Sequence, residues 1–162
     1  MERLELAPLG TPDCNAHTPL YSIFQAFVDD HEWDSYMHVG EPVLHIELRK
    51  WADCLLIAPT SANTLAKLAH GMADNLLTCI ARAWDWEKPM CIAPAMNTAM
   101  WTHPVTATQL DTLGSWGVHV ISPVSKKLAC GDVGIGAMAS VDDVVQGCRG
   151  VLNVAPVEPG GG

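Results

Sequence analysis

No apolar run in this chain approaches the roughly 18 consecutive residues that a membrane-crossing helix needs, so no spanning segment is expected. Basic residues are scarce: 9 Lys and Arg stand against 18 Asp and Glu, for a formal net charge of -9. A surface of that sign repels a phosphate backbone, which argues against nucleic acid as the main partner. The opening, MERLELAPLG, has neither the basic start and apolar stretch of a signal peptide nor the arginines of a mitochondrial presequence. A cytoplasmic location is the simplest expectation. The six cysteines include no CxxC pair, and their spacings do not suit a zinc site. His17, His31, His38, His70, His103 and His119 show no metal-like spacing either, so no metal is expected and these rings read as surface or packing residues.

What the sequence does contain is core material. The chain has 162 residues, 49% of them hydrophobic, which suits one domain with a real interior. Residues 1–30 carry little regular signal and are punctuated by Pro8, Gly10, Pro12 and Pro19. Residues 31–152 form the expected domain, and 153–162 read as a disordered tail. Cys54, Cys79 and Cys91 sit in apolar stretches and Cys148 on the apolar face of a helix, which reads as buried free thiols.

Periodicity organises the domain. Trp51 to Pro59 reads as a buried strand, apolar without interruption from Cys54 to Ala58. Ser61 or Asn63 can cap the helix that follows, whose Leu65, Leu68, Ala69 and Met72 recur at helical spacing. A second helix places Leu76, Leu77, Ile80 and Trp84 along one face. Met90 to Pro94 is a second strand, and Thr102 can cap a helix with Pro104 in its first turn. Val118 to Ser122 is a third strand, and Lys126 to Ala139 reads as a glycine-rich loop. Ser140 opens a last helix with Val141, Val144, Val145, Cys148 and Leu152 on one side. Continuous apolar strands alternating with helices imply a parallel sheet covered on both faces.

One pattern occurs twice. Ile57 to Thr64 (IAPTSANT) echoes Ile92 to Thr98 (IAPAMNT), and each places Asn-Thr just past a strand and at the mouth of a helix. Ligands of doubly wound sheets bind in that crevice, where helix N-termini offer free N–H groups. Either copy alone could be a simple helix cap.

The segment APAMNTAMW (Ala93 to Trp101) resembles the PxMNxxMW signature of flavin-dependent cysteine decarboxylases. These act on phosphopantothenoylcysteine or, in lantibiotic synthesis, on a peptide's C-terminal cysteine. The stretches VLHIELRKWAD (Val43 to Asp53), APTSANTLAKLA (Ala58 to Ala69), DNLLTCIARAWD (Asp74 to Asp85) and KKLACGDVGIGAMA (Lys126 to Ala139) resemble the phosphopantothenoylcysteine branch more closely. The resemblance implies a flavodoxin-like, doubly wound parallel sheet in a three-layer α/β/α arrangement. It implies decarboxylation of N-(4'-phosphopantothenoyl)cysteine to 4'-phosphopantetheine, with FMN, in coenzyme A synthesis. It also implies a homotrimer in which the histidine of one subunit acts near the flavin of its neighbour.

The chemistry explains the cofactor. Loss of CO2 from an acylated cysteine leaves a carbanion with nowhere to delocalise, and the amide nitrogen blocks a Schiff base. A flavin can oxidise CH2–SH to a thioaldehyde, which places the carboxylate beta to a C=S sink. The enethiol left by CO2 loss is then reduced and protonated, for zero net redox.

By the same resemblance, Asn97 holds the substrate carboxylate through its amide donors and His45 serves the oxidative and decarboxylating steps. Cys130 protonates the reduced intermediate. Met100, Lys127 and the Ala129 backbone correspond to substrate-contacting positions, and Ser61, Ala62, Asn63 and Thr64 to the flavin-contacting turn. Gly131, Gly134 and Gly136 suit a movable flap. The family opens with a strand and a loop resembling VTGSVAA, which wraps the flavin phosphate. No such stretch occurs here, so the N-terminal strand region reads as truncated or replaced and weaker flavin binding is expected. Some fungal relatives inhibit protein phosphatases, so a regulator of that kind is the alternative.

Overall fold

The computed structural model describes residues 26–30, 42–127 and 133–153. Expectations for the first 25 residues and for the tail beyond Asn153 fall outside it. In chain order the elements are α1 (Leu44–Trp51), β1 (Leu55–Thr60), α2 (Ala62–His70), α3 (Leu76–Arg82) and β2 (Met90–Pro94). They continue with α4 (Thr98–Trp101), α5 (Pro104–Ser115), β3 (His119–Val120), β4 (Val124–Lys127), β5 (Val133–Ala137) and α6 (Val141–Leu152).

Strands β1, β2 and β3 lie side by side in that order and all run parallel. The pairing of Leu56 with Cys91 and of Ile57 with Ile92 sets the faces, because successive side chains alternate. On one face Ile57, Met90 and Ile92 meet Leu65 and Leu68 of α2, Ala81 of α3 and Leu113 of α5. On the other, Cys91 and Ala93 meet Val144 of α6, with Ile121 and Ala139. Helices on both faces of a parallel sheet give the three-layer, doubly wound arrangement expected of the sequence.

Local chemistry sets the helix ends. Ser61 caps α2 by accepting from the Thr64 amide, and Gly71 closes it with φ 68, a conformation that costs glycine little. Asn75 and Thr78 make a reciprocal capping box at α3. Ser140 accepts from the Asp143 amide at the start of α6. The carboxylate of Asp29 accepts from the Leu76 amide at 2.9 Å, tying the described N-terminal residues to the mouth of α3.

Several boundaries differ from the sequence reading. Trp51 ends a helix rather than opening a strand: LHIELRKW winds into α1, where Glu47 and Lys50 pair at 2.8 Å, a contact that helical spacing permits. The strand after it is not covered on both faces, since Leu56 is 41% exposed and Ala58 and Pro59 are exposed too. Among the described residues β1 is the sheet edge, and α6 lies over β2 and the segment after β3 instead. The cap of α5 is His103, whose Nδ1 accepts from Val105, while Thr102 closes α4. The third strand shrinks to His119 and Val120, and Met72 falls beyond the end of α2, exposed.

Within the supposed loop from Lys126 to Ala139, Val133–Ala137 is a strand that forms an antiparallel hairpin with Val124–Lys127, with Lys127 opposite Val133 and Lys126 opposite Gly134. Its backbone bonds override the weak strand preference of glycine. On α6 only Val144 of the expected stripe is buried, and Val141, Val145 and Leu152 are exposed. Of the described thiols, none of which is in a disulfide, Cys91 is buried while Cys54, Cys79 and Cys148 are half-buried.

Candidate functional site

The two Asn-Thr turns stand next to each other. Thr60 pairs with Pro94 at the carboxyl ends of β1 and β2, and the Thr60 carbonyl accepts from the Ala95 amide at 2.9 Å. The chain leaving β1 therefore enters α2 beside the point where the chain leaving β2 enters α4. This is the crevice in which parallel sheets hold ligands.

Ser61, Ala62, Asn63 and Thr64 form the first turn of α2 and its cap. The Ser61 hydroxyl accepts from the Thr64 amide at 3.1 Å and lies 3.0 Å from the Thr64 hydroxyl. The amides of Ala62 and Asn63 open the helix and have no carbonyl a turn behind them, so they form the positive end of its dipole. Asn63 is exposed.

Asn97 is the cap of α4: its Oδ1 accepts from the Ala99 amide at 2.8 Å. Capping and ligand binding are compatible here, because the cap uses the carbonyl oxygen whereas holding a carboxylate uses the Nδ2 donors. The bond to Ala99 fixes the plane of the amide. Met100, one turn later, is 54% exposed and is not a core methionine. Its carbonyl accepts from the Thr106 hydroxyl at 2.6 Å, which ties the short helix to α5.

The hairpin lies directly on this turn. The Met96 amide donates to the Gly136 carbonyl and the Thr98 hydroxyl donates to the Ile135 carbonyl, both at 2.9 Å. Glycine makes the approach possible. A Cβ at Gly134 would stand 2.4 Å from Thr98 Oγ1, and one at Gly136, where φ is +133, would stand 2.4 Å from the Met96 carbonyl oxygen. These two glycines, which the sequence reading assigned to a flap, are where the hairpin backbone comes closest to the turn. Thr98 and Met96 are site residues that the sequence reading missed, whereas Gly134 and Gly136 were named but placed in a loop. A glycine at every second position beside a polar turn was the available signal.

Lys127 ends β4 on the same hairpin, opposite Val133. Ala129, Cys130 and Gly131 lie outside the described residues, in the connection between these strands. His45 rides in the first turn of α1, which packs on α3. The opposite end of α1 is held by Lys88, whose ammonium donates to the carbonyls of Lys50 and Ala52 at 3.1 and 2.7 Å. Asn97 thus gathers Met96, Thr98, Met100 and the hairpin around it, while His45 belongs to a different layer of the chain.

Residues 15–153 match the family described as Flavoprotein. A phosphopantothenoylcysteine decarboxylase of Oryza sativa subsp. japonica is 51% identical over 151 residues, which cover 89% of this chain and 69% of that protein. Across the curated relatives it matches, the chain spans from about half to about two thirds of their length. A solved structure of a PPC decarboxylase mutant complexed with pantothenoylaminoethenethiol superposes with a TM-score of 0.73 at 53% identity, over 78% of this chain and 69% of that one. The structure of the FMN binding protein AtHal3 gives 0.72 at 52% identity, over 81% of this chain and 71% of that one.

Proposed function

This chain belongs to the flavoprotein family, among its phosphopantothenoylcysteine decarboxylases, and from that premise we propose that it converts N-(4'-phosphopantothenoyl)cysteine to 4'-phosphopantetheine with FMN. The observation that carries the reading is the seat of Asn97, an amide with its plane fixed, at the carboxyl end of β2 and under the hairpin.

The residues present fit a flavin phosphate or ring edge at the mouth of α2, where the open amides of Ala62 and Asn63 and the hydroxyls of Ser61 and Thr64 converge. FMN, when bound, supplies the two-electron oxidation that turns the substrate's CH2–SH into a C=S sink. Asn97 donates hydrogen bonds from Nδ2 to the substrate carboxylate, and these bonds break when CO2 leaves while the amide keeps its protons. Met100 offers an apolar wall beside it. Lys127 and Ala129 take the family's substrate-contacting positions, and Cys130 supplies the proton as the enethiolate intermediate is reduced. His45 serves a neighbouring subunit's flavin in a homotrimer, which accounts for its place on α1, a layer away from Asn97.

The test is a titration of the purified chain with FMN, followed by mass spectrometry of the product. Bound flavin is expected, with a product lighter than phosphopantothenoylcysteine by the mass of one CO2. Flavin-loaded protein that leaves the substrate intact overturns the reading and favours a regulatory role. Light scattering tests the trimer separately, and an active monomer rules out a shared site.

A further inference from the structure

Three of the described thiols converge on the face of the sheet opposite the main core. Cys91 of β2 is 0% exposed in a cluster with Ala93, Ile121, Ala139 and Val144, and both Cys54 and Cys148 pack against that cluster. None of the three has a place in the proposed reaction. They come from three separate elements: the residue before β1, the middle of β2, and α6.

Both Cys54 and Cys148 lie within side-chain reach of Cys91, and strand spacing argues against a bridge to Cys54. Cys54 and Cys91 share a face, but Cys91 pairs with Leu56, two residues further along β1. Strands about 4.8 Å apart with a rise of about 3.3 Å per residue put their Cα atoms about 8 Å apart. That exceeds the reach of a disulfide, about 7 Å. Cys148 approaches Cys91 from above instead. The helix comes down closely there because its neighbour is Gly147, where a Cβ would stand only 3.0 Å from Ile121 Cγ1. The contact is felt electrostatically. Burial, then the nearby Cys148 and Cys54, push the Cys91 thiol well above the usual range, so Cys91 is a poor first nucleophile.

We infer that Cys91 and Cys148 form an oxidisable dithiol that hydrogen peroxide converts to a disulfide joining β2 to α6. The half-buried Cys148 reacts first: its sulfur attacks one peroxide oxygen, giving a sulfenic acid and one water. The Cys91 sulfur then displaces the hydroxyl of that sulfenic acid, releasing a second water and closing the S–S bond. Two thiols lose two electrons, peroxide gains them, and both thiol protons end in water. The bond ties the helix that follows the hairpin to the strand that leads into Asn97. The inference does not depend on the proposed decarboxylation.

The full chain is treated with hydrogen peroxide, alkylated after denaturation, and digested without reductant for mass spectrometry. A peptide containing Cys91 linked to one containing Cys148 is expected, released by dithiothreitol. Cys148→Ser, with unchanged circular dichroism, is expected to leave Cys91 fully open to alkylation after the same treatment. Cys91 that stays unlinked in the native sequence overturns the inference, as does linkage of Cys91 to Cys54.

Discussion

The Thr98 hydroxyl donates to the Ile135 carbonyl at 2.9 Å, across a gap that Gly134 keeps free of any side chain. This bond joins the turn that carries Asn97 to the strand leaving the hairpin. Thr98→Val keeps the shape and removes the donor, stranding a carbonyl that is part of the interface. The expected loss is about 1 kcal/mol, read as a lower urea midpoint with an unchanged slope. Thr98→Ser keeps the hydroxyl and is expected to restore most of it.

A methyl group at residue 136 meets two obstacles at once. It would stand 2.4 Å from the Met96 carbonyl oxygen, and φ of +133 is a conformation that side chains rarely adopt. The obstacle is backbone and cannot rotate away. Gly136→Ala is therefore expected to cost at least about 2 kcal/mol and to weaken substrate binding even where the chain stays folded. Gly114→Ala is the control: nothing lies within 4 Å of its Cβ position on α5. That change is expected to be neutral or to stabilise by roughly 0.5–1 kcal/mol. Chemical denaturation of both variants checks the contrast.

Much of this architecture was legible from the residues. Met90 to Pro94 read as a strand because five apolar residues in a row left no polar interruption, and Ser61 and Ser140 announced their helices by cap chemistry, whereas the Asn75 cap was not anticipated. Asn97 and the Ser61 to Thr64 turn were legible as neighbours because Ile-Ala-Pro followed shortly by Asn-Thr occurs at the ends of two strands. The hairpin was not. VGIGA has glycine at alternate positions, which by local preference is loop, and only its backbone pairing with β4 makes it a strand, which Met96 and Thr98 then brace. The exposed face of β1 was missed for a related reason. Apolar continuity from Cys54 to Ala58 states what a strand could bury, while the partners available decide what it does bury. Helix α1 was overlooked although LHIELRKW is amphipathic, because Trp51 was read into the strand that follows; in the structure the helix buries no residue fully.

Lys67 and Asp74 join the end of α2 to the mouth of α3, with the ammonium 2.8 and 2.7 Å from the two carboxylate oxygens. Lys67, foremost by hydrogen bonding, holds the Asp74 carboxyl below its ordinary value near 3.8. A depressed acid stabilises the fold above its unfolded pKa and ceases to do so as pH falls through the folded one. The stability gap between the native chain and Asp74→Asn is therefore expected to be full at neutral pH and to close in acid below that value. Added salt narrows it, because Asp74 is solvent-facing. Thermal melts over a pH series test both effects, and a gap that widens in acid rules the account out.

Asn97 combines two jobs that one substitution can separate. Its Oδ1 caps α4 through the Ala99 amide at 2.8 Å, while the carboxylate-holding role depends on Nδ2. Asp is as good a cap as Asn, so Asn97→Asp is expected to change stability by less than about 0.5 kcal/mol. The same change replaces two donors with a negative charge facing the substrate carboxylate. Turnover is expected to fall by at least about 100-fold, the scale of losing one charge-assisted donor, with a raised KM as well. Asn97→Ala loses both functions and is expected to cost about 1 kcal/mol of stability in addition. Steady-state kinetics beside thermal denaturation distinguish the cases. A stable, fully active Asn97→Asp enzyme would reduce Asn97 to a helix cap and move the carboxylate site elsewhere.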